Sequence, residues 1–187
     1  MLVMRNMQLL IMMLALFNSV YGQHAGWSTK KINEILTVDI PTNNKFEEQD
    51  IIKGYTGNID EEYFAVSYYD TAMNVNDAQS FKISLTGFAH GMSKRVSQGE
   101  YQVTLSDTSL GNTRGIIIKF IANANATYQQ NMVCYVTMAN DHFYSFSSTM
   151  PTDIKKEALR LRFFNMIKFD AEKIKESKYS LHSVLIK

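Results

Sequence analysis

Histidine is the side chain best suited to acid–base and metal chemistry near neutral pH, and this sequence has four. His142 directly follows Asp141, so that a carboxylate and an imidazole stand side by side. This pair defines one alternative function, a hydrolase with an unrecognised site near Asp141 and His142. Zinc sites need several ligands at characteristic spacings, and no His-x-His or His-x-x-x-His pair is present. We therefore predict no metal site and assign no catalytic residue.

Cys134 is the single cysteine of the sequence, so an internal disulfide is excluded. An odd cysteine in an exported protein can link two chains or act as a reactive thiol. Here it lies within residues 132–136, which are apolar and rich in strand-forming types. Because a buried free thiol behaves as a small hydrophobic side chain, we predict that Cys134 is part of the core.

Other motifs with known chemistry are missing or incomplete. No Gly-x-Ser-x-Gly sequence marks a serine nucleophile. Residues 54–57 contain two glycines but not the lysine of a phosphate-binding loop. The acids at 60–62 lack the alternating spacing of a calcium loop. Asn125 begins an Asn-Ala-Thr sequon, which has meaning only in a eukaryotic secretory pathway. We predict no cofactor.

The tyrosines point to binding rather than to catalysis. Most of them lie in segments that favour strands, and a sheet face that a helix covers only in part can present them to a partner. Tyrosine is enriched in binding surfaces because it offers a wide contact area and one polar tip. The tyrosines concerned are Tyr55, Tyr63, Tyr68, Tyr69, Tyr101, Tyr128, Tyr135 and Tyr144.

Residues 1–22 have the features of a cleavable signal peptide. A positive charge at Arg5 precedes an apolar run at residues 9–17, which is too short to cross a bilayer, since a spanning helix needs roughly 20 residues. Val20 and Gly22 suit the positions before a peptidase cut, so we place the cut after Gly22. No cysteine lies near the cut, so we expect no lipid anchor of the bacterial lipoprotein type. We expect a secreted or periplasmic protein without a membrane span in its mature part.

Length and charge restrict the mature part further. Removal of 22 of the 187 residues leaves 165, which is the size of one domain, at residues 23–187. Arg5 is the only charge lost, so the formal net charge falls from +1 to zero. A neutral domain has no bulk electrostatic attraction to nucleic acid or to an anionic membrane. We expect neither as a partner.

The elements that position these residues follow from their apolar spacing. Helices are predicted at about 77–97 and 153–168, although Gly87 and Gly91 fall outside the apolar sector of the first helix, where packing does not explain them. Residues 23–31 and 42–50 are polar and are predicted to be loops, and residues 54–57 are predicted to form a turn. Strands are predicted at 32–40, 63–69, 101–106, 113–122, 130–138 and 143–148. The order predicts an α+β fold, an α-β-α sandwich on a twisted, largely antiparallel sheet of about six strands.

One family resembles this arrangement. Residues 128–169 pair a tyrosine-containing hairpin with a helix that ends in Arg-Phe-Phe-Asn-Met-Ile, and this segment resembles the end of PsbP-like and DcrB-like domains. The opening strand Leu-Thr-Val-Asp-Ile-Pro at 36–41 is similar to theirs, and the resemblance covers residues 32–170. It implies an α-β-α sandwich. The family includes photosystem assembly subunits and has no agreed active site, so it implies no catalytic residue here.

We therefore expect an exported, non-catalytic domain that binds a protein or a component of the cell envelope, in an assembly or maintenance role. The hydrolase near Asp141 and His142 is one alternative. A carrier for a small apolar ligand, held between sheet and helix, is the other.

The predicted cleavage site can be tested directly. N-terminal sequencing of the secreted protein is expected to read from Gln23, because the peptidase cuts after Gly22. A mature protein that still begins at Met1 would contradict both the export signal and the predicted location.

Overall fold

A computed structural model describes residues 26–69, 78–97, 100–110, 113–126, 129–140, 142–150 and 154–174. The predicted signal peptide, Asp141 and residues 175–187 lie outside these ranges. In chain order the elements are β1 (Trp27–Lys31), β2 (Leu36–Pro41), β3 (Lys45–Gln49), β4 (Ile52–Ile59), β5 (Glu62–Tyr69), α1 (Ala78–Ser97), β6 (Tyr101–Leu110), β7 (Thr113–Ala122), β8 (Met132–Ala139), β9 (His142–Thr149), α2 (Ile154–Asn165) and β10 (Lys168–Phe169).

Seven strands form the main sheet in the order β3-β4-β5-β9-β8-β7-β6, and every neighbouring pair is antiparallel. β4 and β5 are joined by a two-residue turn at Asp60 and Glu61, which have φ values of 48° and 70°. Positive φ at both central residues gives a turn that matches the right-handed twist of the strands. This tight connection holds β4 and β5 in register along their whole length.

A three-stranded sheet, ordered β1-β2-β10, covers one face of the main sheet together with α2. The core on this side includes Val38 and Ile40 of β2, Phe64 and Phe146 of the main sheet, and Phe163 of α2, each of them fully buried. β2 alternates apolar residues along its inner face, which is the period-2 pattern of a half-buried strand.

The helix α1 covers the other face over β6, β7 and β8. It packs through Phe81, Leu85 and Ala89, which recur every four residues and so form one stripe of the helix. Ile118 and Cys134 meet this stripe from the sheet. The prediction that Cys134 is buried is confirmed, since its exposed fraction is 1%.

The predicted α-β-α sandwich on about six strands is wrong. The described chain is mostly β, with ten strands in sheets of seven and three, and the three-stranded sheet makes up much of one outer layer. β1, β3 and β4 lie in segments that were predicted to be loops or turns. β1 and β3 are edge strands whose side chains are half-buried or exposed, and their sequences therefore lack apolar alternation. Backbone pairing with a neighbouring strand defines them instead.

Both helices are present, but the second is shorter than the predicted span of 153–168. α2 ends at Asn165, and Lys168 and Phe169 then pair with β2 as β10. Within the ranges that the structure describes, no helix is long and apolar enough to cross a membrane.

Two glycine-to-alanine substitutions, one in the sheet and one in the helix α1, test the described packing. A Cβ at Gly115 would clash with the Val136 carbonyl oxygen and would meet the Tyr135 ring at 2.7 Å, whereas a Cβ at Gly87 has nothing within 4 Å. Gly115→Ala is expected to lower the free energy of unfolding by about 1–3 kcal/mol through overpacking. Gly87→Ala is expected to raise it by about 0.5–1 kcal/mol, because alanine favours the helix. Urea unfolding measures both, and equal effects of the two changes would contradict the described packing.

Candidate binding surface

His142 begins β9, and its imidazole is held by the end of β5. Nδ1 of His142 lies 3.3 Å from the Tyr69 carbonyl oxygen and 3.4 Å from the Tyr68 hydroxyl. The ring centroids of Tyr68 and His142 are 5.2 Å apart. A carbonyl oxygen only accepts hydrogen bonds, so the Tyr69 contact favours the tautomer with its proton on Nδ1. Nε2 is then left as an acceptor. Among the described residues no group of three or more His, Cys, Asp or Glu could hold a metal ion.

Tyr144 packs against Tyr68 and is itself held by a hydrogen bond from Asn33. Tyr144 lies directly opposite Tyr68 across the strand pair, with ring centroids 5.4 Å apart. Its hydroxyl accepts a 2.9 Å hydrogen bond from Asn33 Nδ2, while Asn33 Oδ1 accepts from the backbone N–H groups of Ile35 and Leu36. Burial raises the pKa of Tyr144 to about 12, so the phenol stays neutral at physiological pH. Tyr144 therefore has a positioning role and is a poor base.

Five half-buried side chains form one continuous surface that we call the tyrosine shelf: Lys30, Lys53, Tyr55, Tyr68 and His142. Lys53 lies opposite Tyr68, and Tyr55 follows two residues later on the same face of β4. The ammonium of Lys30 reaches over from β1 to within 5.6 Å of the Tyr55 ring centroid, which is a cation–π distance. The shelf thus combines two aromatic faces with two cations.

One shelf lysine, Lys53, takes part in an exposed ion pair. Glu48 Oε1 lies 3.3 Å from Lys53 Nζ, and both side chains are more than one third exposed. Exposed pairs of this kind contribute about 0–1 kcal/mol, so the contact is exchangeable for one with a partner. Phe46 extends the surface to the sheet edge, with its ring 5.1 Å from that of Tyr55.

The eight tyrosines that the sequence suggested for a binding surface differ in burial. Tyr63, Tyr101, Tyr135 and Tyr144 are buried, whereas Tyr55, Tyr68 and Tyr69 are half-buried and Tyr128 lies outside the described residues. Of the tyrosines predicted for a binding surface, only Tyr55, Tyr68 and Tyr69 are half-buried among the described residues.

The sequence did not indicate that Lys30, Asn33 and Lys53 belong near this surface, because they are polar residues of segments without apolar periodicity.

The other reactive side chains serve the packing of the fold. Burial raises the pKa of the Cys134 thiol to about 11, against smaller effects of nearby hydrogen bonds, so little thiolate forms at neutral pH. The buried carboxylate of Glu62 accepts a hydrogen bond from the Thr149 hydroxyl, and Lys156 Nζ lies 3.5 Å away. These contacts tie the start of α2 to the β4–β5 turn.

A small cavity lies on the opposite face of β3, β4 and β5. It holds about 40 Å³ and is lined in part by Glu47, Gly54, Tyr63 and Ser67. Ligand pockets usually have about 300–1,000 Å³, while a water needs only about 10–15 Å³. This cavity therefore fits water molecules and is too small for an apolar ligand.

His90 and Asn125 are both exposed, His90 on α1 and Asn125 in the turn between β7 and β8. His90 thus lies on the other side of the main sheet from His142, so the two imidazoles do not share a site.

Comparison with known proteins supports a PsbP-like fold. No protein-family profile matches the sequence, and no curated protein matches it either. Among solved structures, the fold is similar to the solution structure of cyanobacterial PsbP (CyanoP) from Synechocystis sp. PCC 6803. The TM-score is 0.55 at 11% identity, over 81% of this chain and 96% of that chain. This likeness supports the PsbP-like part of the resemblance at the level of fold, and nothing in the comparisons supports the DcrB-like part.

The burial of Cys134 predicts its reactivity. At about pH 8 the native thiol is expected to react with a maleimide about a thousandfold or more slowly than in urea, because the reagent reaches it only after unfolding. Asn125→Cys in a Cys134→Ala background gives an exposed thiol as the control. If native Cys134 reacts as fast as this control, or forms a disulfide-linked dimer, the described core is wrong.

Proposed function

We propose that this chain is exported and that residues 23–187 form a non-catalytic domain that binds a protein of the cell envelope or the extracellular space. The observation that carries the proposal is the tyrosine shelf, where tyrosines and lysines are only half-buried although most large side chains around them are buried. Residues 1–22 support export through their charged start, short apolar run and small residue before the cut.

The contacts of the shelf favour binding over proton transfer. His142 Nδ1 faces a backbone carbonyl and a phenol, so none of its described contacts is the carboxylate that would stabilise an imidazolium. Tyr144 stays protonated, and its hydroxyl is occupied by Asn33. Tyr144 therefore acts by positioning the neighbouring ring and not as a base.

The chemistry of the shelf also defines the partner class. Two lysines beside two tyrosines complement an extended protein segment with carboxylates and apolar or proline side chains. Electrostatic attraction between exposed charges weakens with salt, so binding is expected to be salt-dependent. The PsbP-like resemblance favours an assembly or maintenance role for this contact.

A charge reversal on the shelf tests the proposal. The immobilised protein is incubated with envelope extract or culture supernatant of its native source, and bound proteins are quantified by mass spectrometry. Lys30→Glu with Lys53→Glu is expected to reduce partner recovery about tenfold, since both cations face the bound segment. Lys82→Glu with Lys94→Glu makes the same charge change on α1, over the opposite face of the sheet, and is expected to leave recovery unchanged.

Two outcomes contradict this function. One is equal loss of binding in the shelf and α1 variants, which would indicate a bulk charge effect. The other is the absence of any reproducible partner of the unmodified protein.

A further inference from the structure

β3 is the terminal strand of the seven-stranded sheet. It pairs with β4 on one side, and within the part of the chain that the structure describes no strand pairs with its other side. In a terminal strand the N–H and C=O groups of alternate residues point outward, and they form a template for a further strand. The outer edge of β3 is therefore a place where the sheet can be extended.

The side chains of β3 divide between its two faces in a regular way. Lys45 and Glu47 lie on the face towards the small cavity, with opposite charges on either side of Phe46. Phe46 points to the other face and is 52% exposed, which is unusual for a phenylalanine. Ile51, in the adjoining turn, is 49% exposed. This edge thus combines outward backbone groups, an exposed aromatic ring and two opposite charges on either side of that ring.

We propose that two copies of this chain associate through β3, antiparallel and with Phe46 opposite Phe46 of the second copy, so that their main sheets join into one. In this register Lys45 lies opposite Glu47 of the second copy, and Glu47 lies opposite its Lys45. Opposite charges at directly paired positions stabilise an antiparallel strand pair, and two aromatic rings at the centre add apolar contact.

The same charges disfavour the neighbouring register. Centring the pair on Glu47 would place two carboxylates opposite each other and set Phe46 against Glu48. Burial raises the pKa of Glu47, while Lys45 of its own chain opposes this effect. A second lysine across the new strand pair would favour the charged form further. The sequence of β3 therefore selects one alignment of the two copies.

Bulk electrostatics permit this association, because a mature chain with zero formal charge does not repel its copy. A contact of one five-residue strand is small compared with stable dimer interfaces of about 1,200–2,000 Å². The dimer is therefore expected to be weak and to form as concentration rises. It includes Phe46, which also adjoins the tyrosine shelf, but none of the shelf lysines. It goes beyond the proposed function, and its test measures the association state and not the capture of a partner through Lys30 and Lys53.

Sedimentation velocity of the protein expressed from its full sequence, at about 10 µM to 1 mM, tests the proposal. The unmodified protein is expected to shift from monomer to dimer over this range. Lys45→Glu and Glu47→Lys are each expected to weaken association about tenfold, because each turns two attractive pairs into repulsive ones. The double variant restores complementary charges and is expected to regain dimerisation.

Substitution of exposed apolar residues supplies a matched control. Phe46→Asp is expected to abolish the dimer, whereas Ile83→Asp makes the same kind of change at a 63% exposed position on α1 and is expected to leave it intact. Far-UV circular dichroism checks that each variant is folded. A protein that stays monomeric at 1 mM, a dimer that survives Phe46→Asp, or a double variant that fails to recover would each overturn the proposal.

Discussion

The backbone pairing of β8 with β9, in a strand pair that is buried on both faces, is the constraint on which the rest of this structure depends. All eight residues of β8 are buried, and so are residues 143–149 of β9. Their side chains alternate between two cores. Tyr144 and Phe146 contact the small sheet and α2, while Cys134 and Val136 contact α1. Because the same two strands carry both cores, neither outer layer packs independently of the other.

The tyrosine shelf lies where this double coverage ends. Residues 62–67 of β5 are buried, but Tyr68 and Tyr69 at its end are only half-buried. Asn33, which precedes β2, donates to Tyr144 and so links the small sheet to the ring beneath Tyr68. The aromatic side chains at this boundary thus pack against the core on one side and meet solvent on the other.

Polar contacts inside the fold join elements that apolar packing alone would leave less defined. Glu62 is buried, yet its carboxylate has a hydroxyl donor in Thr149 and a cation in Lys156. A buried carboxylate is tolerated only with such partners, because its desolvation is otherwise too costly. The contact sets the position of α2 relative to the β4–β5 turn.

At the far edge of the sheet, the ring of Phe46 packs against that of Tyr55 and so connects the outermost strand to the tyrosine shelf.

Local patterns in the sequence determined the strands β5, β8 and β9, the two helices, the buried position of Cys134 and the absence of any recognisable catalytic motif. These features follow from apolar periodicity and composition over a few residues. Only the tertiary structure decided the small sheet, the strands β3 and β4, and the members of the shelf. Asn33 meets Tyr144 across 111 residues of chain, and Lys30 reaches Tyr55 from another sheet. Such contacts depend on how distant strands pair, and polar edge strands carry no local signal of that pairing.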